Sequence, residues 1–162
     1  MGGNIGNVKR TFEQAQQMIN QRVGAVLRCS HRYKSKAWGF SCDAVFSNQA
    51  LEVSTDLNPE EVLSEIHKIE CELGRNRGAE AVEKASTGVP YTSRKIDIDI
   101  EFYDDLVLRS DDLTIPHPFL QEREFALLPM NEIAKDKVHP VLQMSVGALL
   151  TKLQENKNDD EE

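Results

Sequence analysis

No apolar run in this sequence approaches the ~20 residues that a helix needs to span a bilayer, and no basic, apolar, small-residue leader precedes its first helical pattern. The expectation is a cytoplasmic protein. Positive charge is also short: 19 Lys and Arg stand against 27 Asp and Glu, a formal net charge of -8 at pH 7. A general nucleic-acid or acidic-membrane binder needs a basic footprint, so those partners are excluded and any polyanion site must be a local cluster of cations. Cysteine is scarce. Cys29, Cys42 and Cys71 form an odd, widely spaced set without a CxxC or a histidine-containing metal spacing, which points to free thiols in a reducing compartment. Tryptophan occurs once, at Trp38, and there is no internal repeat. What is present, 40% apolar and 28% charged residues over a length of 162, is the make-up of one globular domain with a hydrophobic core.

The most regular stretch is 94–102, R-K-I-D-I-D-I-E-F. In an extended strand Ile96, Ile98, Ile100 and Phe102 take one face, and Lys95, Asp97, Asp99 and Glu101 take the other. Asp97 and Asp99 then project the same way with alpha carbons roughly 6.6 Å apart. Two carboxylates so close repel unless a cation lies between them, and oxygen ligands on a rigid strand suit Mg²⁺ carrying a phosphorylated substrate. A solvated outer face of an ordinary strand fits the alternation equally well.

In chain order, M-G-G-N-I-G-N is a glycine-rich turn opening a helix, with Asn7 as cap and Val8, Phe12, Ala15 and Ile19 at helical spacing. A turn of this kind normally follows a strand, so the expectation is that a first strand is absent. Residues 25–34 and 44–55 read as strands, the second carrying Phe46, Asn48 and Ala50 on one side. The loop between them holds Trp38. A second helix runs from cap Asn58 through Pro59 and Glu61 to Gly74, with Val62, Ile66, Ile69 and Leu73 as its apolar stripe. Residues 78–93 lack periodicity and read as a long loop. After the Ile-Asp strand come a turn at Asp104-Asp105, a return through Leu108, the L-T-I-P-H-P run and a last helix over 145–153. Residues 154–162 read as a disordered acidic tail behind a domain spanning 1–153. The order helix, strand, strand, helix, strand gives an α+β fold, a ferredoxin-like α/β sandwich with a β-α-β-β-α-β core, extra C-terminal elements and its first strand missing.

The set G-G-N-I-G-N, Phe46-x-Asn48, Glu70 with L-G-R-N-R, S-R-K-I-D-I-D-I, and I-P-H-P with Arg123 and Phe125 resembles the 6-hydroxymethyl-7,8-dihydropterin pyrophosphokinases of folate biosynthesis. The likeness covers nearly the whole chain in order. It implies an enzyme that moves the β,γ-diphosphoryl unit of ATP to the hydroxymethyl group of a reduced pterin, with two Mg²⁺ ions, no nucleic-acid or membrane partner, and a monomeric chain. By the same resemblance Asp97 and Asp99 hold the metals, and Arg75 and Arg94 assist transfer. Glu70, Arg77, Ile100, Thr114, His117 and Arg123 surround the nucleotide. Phe46 and Phe125 sandwich the pterin ring, Asn48 reads its edge, and Gly2, Ser35, Trp38 and Tyr91 complete the pocket.

Each of these residues also has a plainer role open to it. Arg75 and Arg77 suit a helix C-terminus, Phe46 and Phe125 suit a core, and a lone His117 suits an exposed turn. The sequence departs from the family pattern at Ser35, Lys36 and Ala37, where a threonine and two prolines are common. It departs again at Tyr91 in place of tryptophan, Ser93 in place of proline, and Asp112 in place of a basic residue. A non-catalytic nucleotide- or metal-binding module and a fragment of a fused folate-pathway enzyme remain as alternatives.

Overall fold

A computed structural model describes residues 1–36, 45–74 and 95–160. Helix α1 (Val8–Arg22) starts where the Asn7 side chain accepts from the Arg10 N–H, satisfying a donor that the first turn leaves open. Helix α2 (Pro59–Glu72) carries a complete capping box: the Asn58 side chain accepts from the Glu61 N–H, and the Glu61 carboxylate accepts from the Asn58 N–H. Its end is closed at Gly74, whose φ of +98° suits a residue without a side chain.

The strands are shorter than the sequence suggests. Residues 25–34 divide into β2 (Ala25–Cys29) and β3 (Tyr33–Lys36), and residues 44–55 into β4 (Val45–Asn48) and β5 (Leu51–Ser54). The break has a local cause. The Ser30 hydroxyl takes the Ala50 N–H, and the Gln49 side chain donates to the Ser30 carbonyl, so side chains replace ladder bonds where both strands turn. The halves then join different antiparallel sheets: β1 (Gly2–Gly3), β4 and β3 in that order, and β2 with β5.

Residues 96–102 keep the alternation but not the ladder. Ile96 and Ile98 are buried while Asp99 is exposed, yet among the described residues the one bridge of this segment joins Asp97 to Gly2, through Gly2 N–H to Asp97 carbonyl at 2.8 Å and the reverse bond at 2.7 Å. Among the described residues a β1 of two residues offers the segment no longer ladder, and further along the Glu101 carbonyl accepts from the His117 N–H. The chain returning from Asp104-Asp105 does not pair back either; β6 (Leu108–Arg109) forms a separate hairpin with β7 (Thr114–Ile115).

Two apolar clusters hold the elements. Phe12, Ala15 and Ile19 of α1 meet Val62, Ile66 and Ile69 of α2 over Ile96 and Ile98. Leu127 and Met130 of α3 (Glu124–Ala134) pack on Val146, Leu149 and Leu150 of α4 (Val146–Asp160). Helix α4 does not stop at Leu153 as expected. It continues to Asp160, tied back by Gln154 and Lys157 to the Glu124 carboxylate. The whole is a mixed α+β structure with small antiparallel sheets. Among the described residues no helix is long and apolar enough to cross a membrane. Cys29 and Cys71 are free and exposed, and Cys42 lies outside the described residues.

Candidate active site

The bridge at Gly2 organises the site. Because Gly2 pairs with Asn48 on one side and Asp97 on the other, it places the β3–β4 hairpin beside the acidic segment. A Cβ on Gly2 would lie 3.1 Å from Asn48 Oδ1, a tight contact that would push on the Asn48 side chain. Asn48 is buried and its amide donates to Ser35 Oγ at 2.7 Å, which fixes the side chain across the hairpin. Ser35 stands directly opposite Phe46 in the ladder.

These residues face a cavity of about 730 Å³. Gly2, Ser35, Phe46 and Asn48 form one wall, Asp97, Asp99, Ile100 and Glu101 another, and Arg123 and Phe125 the entry to α3. A volume of that size accommodates a drug-sized ligand. Lys36, for which the sequence offers no role, lines the same wall as Ser35.

Two buried cations meet the three carboxylates: Arg123, 3% exposed, puts Nη1 3.3 Å from Asp99 Oδ2, and the amino group of Met1 faces Asp99, Glu101 and Asp97. Glu101 Oε2 is buried without a hydrogen-bond partner among the described residues. Burial first, then the Asp99 carboxylate, push Glu101 up from its ordinary 4.5 to about 7. Burial and the adjacent Arg123 hold His117 below its ordinary range, so its imidazole is neutral.

Asp97 and Asp99 suit Mg²⁺. Mg²⁺ beside nucleotide phosphates is held by one or two carboxylates, with waters and substrate oxygens in the remaining positions. Among the described residues no group of three His, Cys, Asp or Glu side chains is placed to hold a metal.

Thr114 and His117 sit apart from the main wall, lining a smaller hollow of about 200 Å³ with Arg109 and His139. His117 links the two spaces, since its Nε2 is 2.9 Å from Arg123 Nη1. Glu70 faces neither space. It is fully buried, and its carboxylate accepts from the Ile98 N–H at 3.0 Å, anchoring the acidic segment to α2 between the two aspartates. Arg75, Arg77, Trp38, Tyr91 and Arg94 lie outside the described residues. Glu101 is the residue that spacing alone left without a role, although the same alternation that marks Asp97 and Asp99 includes it.

Residues 1–135 match the family model for 7,8-dihydro-6-hydroxymethylpterin-pyrophosphokinase. A 2-amino-4-hydroxy-6-hydroxymethyldihydropteridine pyrophosphokinase of Aquifex aeolicus is 35% identical over 87% of this chain and 81% of its own length. The enzyme of that name from Bacillus subtilis is 33% identical over 83% of this chain and 75% of its own length. A folic acid synthesis protein, fol1, of Pneumocystis carinii is 35% identical over 94% of this chain. The match takes in only 19% of that longer protein. With the ordered motifs, the aspartate pair in its cavity and a family match over most of its length, the chain belongs to the 7,8-dihydro-6-hydroxymethylpterin-pyrophosphokinase family.

Proposed function

We infer that this chain transfers the diphosphoryl group of ATP to the hydroxymethyl group of 6-hydroxymethyl-7,8-dihydropterin, releasing AMP, as a step of folate biosynthesis. The observation that carries the reading is the meeting of the Asp97–Asp99 pair with Phe46, Asn48 and Phe125 around one cavity. The substrate hydroxyl oxygen attacks the β-phosphorus, the bond from that phosphorus to the α,β-bridging oxygen breaks, and AMP leaves with the electron pair while the hydroxyl proton is released.

Asp97 and Asp99 would hold two Mg²⁺ ions, which when bound neutralise the triphosphate and the charge developing on the leaving oxygen. Phe46 and Phe125 hold the flat ring, and Asn48, oriented by Ser35, reads its edge. Gly2 lies beside that ring, and Trp38 and Tyr91 bind the same substrate. Arg123 and Arg77 bind phosphate oxygens, neutral His117 donates an N–H to them, and Ile100 and Thr114 flank the nucleotide, with Glu70 supporting from behind. Arg75 and Arg94 bear on the transferring group. The fold that carries this is a ferredoxin-like sandwich, and the chain acts as a cytoplasmic monomer.

The test is AMP release from Mg²⁺-ATP in the presence and absence of the pterin alcohol. Pterin-dependent AMP is expected from the purified chain, and Asp97→Asn and Asp99→Asn should each abolish it while remaining folded by circular dichroism. Full activity in either variant refutes the two-metal assignment.

A further inference from the structure

The two aromatic walls of the cavity belong to different parts of the fold, and one carboxylate ties them together. Phe125, Pro129 and Glu132 recur at helical spacing along α3, so a single face of that helix lines the cavity. Tyr33 and Ser35 share one face of β3 and stand opposite Asn48 and Phe46 in the ladder. Between these walls the Glu132 carboxylate accepts from the Tyr33 hydroxyl at 2.7 Å and from the His31 N–H at 3.0 Å, and it lies 3.0 Å from His31 Nδ1. The Tyr33 bond first and the His31 ring next hold Glu132 below the ordinary carboxylate range, so it meets both as an anion. The tie falls where the fold needs one. Strand β3 is the outer strand of its sheet, order β1-β4-β3, whereas the start of α3 is held from behind by Gln154 and Lys157 on Glu124. Arg28 also reaches α3, donating to the Ile133 carbonyl at 3.0 Å, but it comes from β2 in the other sheet.

Resting on the functional reading above, we propose that Glu132 is a positioning residue for the pterin slot, setting the gap between Phe46 and Asn48 on the hairpin and Phe125 on α3. It touches no reacting atom. A flat ring stacked on two faces needs both at contact distance at once, and a hairpin free to drift must be ordered on binding, which weakens affinity. Hydrogen bonds to an ionised carboxylate are shorter and stronger than neutral ones, so this tie is stiff. Among the described residues the bonds of Glu132 go to His31 and Tyr33, and none goes to β7 or to His117 on the nucleotide side. Loosening the tie therefore acts on the ring and spares the nucleotide.

The experiment is equilibrium titration of the full chain with 6-hydroxymethylpterin, followed by its own fluorescence. Mg²⁺ and a non-hydrolysable ATP analogue are present throughout, so that no turnover contributes, and the affinity of the analogue is measured separately by calorimetry. Glu132→Ala should weaken pterin binding on the order of ten-fold and leave the analogue at its native affinity. Tyr33→Phe removes one bond of the tie and should weaken pterin by about three-fold. Glu132→Gln keeps an oxygen for the Tyr33 hydroxyl and should recover most of the affinity that alanine loses. With both Glu132→Ala and Tyr33→Phe the loss should equal that of Glu132→Ala alone, because the hydroxyl then has no carboxylate to hold. A folded Glu132→Ala chain with native pterin affinity overturns the proposal. So does native pterin affinity in Tyr33→Phe, a measurement that stands even if the alanine variant unfolds. Equal losses of pterin and analogue affinity overturn it as well, since they mark a general loosening of the fold. A native chain that binds no pterin overturns the functional reading, and this proposal with it, whereas the other results overturn this proposal alone.

Discussion

Replacing Glu101 by glutamine should stabilise the protein above neutral pH and leave it unchanged in acid. The carboxyl is held at about 7 against an ordinary 4.5, chiefly by burial and next by Asp99. Folding therefore raises the affinity of this group for a proton. Between pH 4.5 and 7 the folded chain keeps a proton that the unfolded chain releases, so stability falls as pH rises through that window. Below it the group costs nothing; above it the full penalty applies. The shift of 7 − 4.5 = 2.5 pH units converts at 1.36 kcal/mol each to about 3 kcal/mol. Glutamine fills the same space without the charge, so Glu101→Gln should match the native chain at pH 4 and exceed it by up to about 3 kcal/mol at pH 8. Urea unfolding followed by far-ultraviolet circular dichroism at several pH values measures the difference directly. Slopes from groups that do not interact with Glu101 cancel in that difference. A native-minus-variant stability that is flat from pH 4 to 8 would show that Glu101 ionises freely, and the burial argument would fail.

Two further outcomes follow from the geometry. Phe46→Ala should weaken pterin binding by roughly 0.5–1.5 kcal/mol beyond the loss of buried area if the ring is stacked; a native pterin affinity with a lowered melting temperature would make Phe46 a core residue only. Fusing a five-residue strand-forming segment ahead of Met1 should raise the melting temperature by at least ~5 °C, at about 1 kcal/mol per net ladder bond. The reason is position. Met1 exchanges both backbone bonds with Gln49, Gly2 bridges Asp97, and β5 pairs only with β2 among the described residues, so the line of β1 runs between two open edges. An equally long Gly-Ser extension that stabilises as much would refute this.

What could be read from the sequence divides along the range of the interactions involved. The ends of α1 and α2 were legible because Asn7, Asn58, Glu61 and Gly74 act within a few residues of themselves. The two faces of 96–102 were legible because a period of two needs no partner to be visible. Its pairing was not, since that depends on how much of β1 stands beside it. The breaks at Ser30 and Gln49 arise from bonds between segments about twenty residues apart in sequence, as with Ser30 and Ala50 at a separation of 20, and no local pattern announces them. Helix α4 past Leu153 is polar all round, which reads as a tail. It is tied down through Glu124, 30 residues from Gln154.

The site follows the same rule. Asp97 and Asp99 could be picked out because spacing alone aims them together. Glu70 had a signal that went unused, for it lies four residues after Ile66 and so points inward with the apolar stripe of α2. A carboxylate on that stripe must find a donor, and it finds the Ile98 N–H between the two aspartates. The convergence of Asp99, His117 and Phe125 on Arg123 had no such signal. It is made where an extended segment, a hairpin exit and a helix start meet, which is a property of tertiary packing.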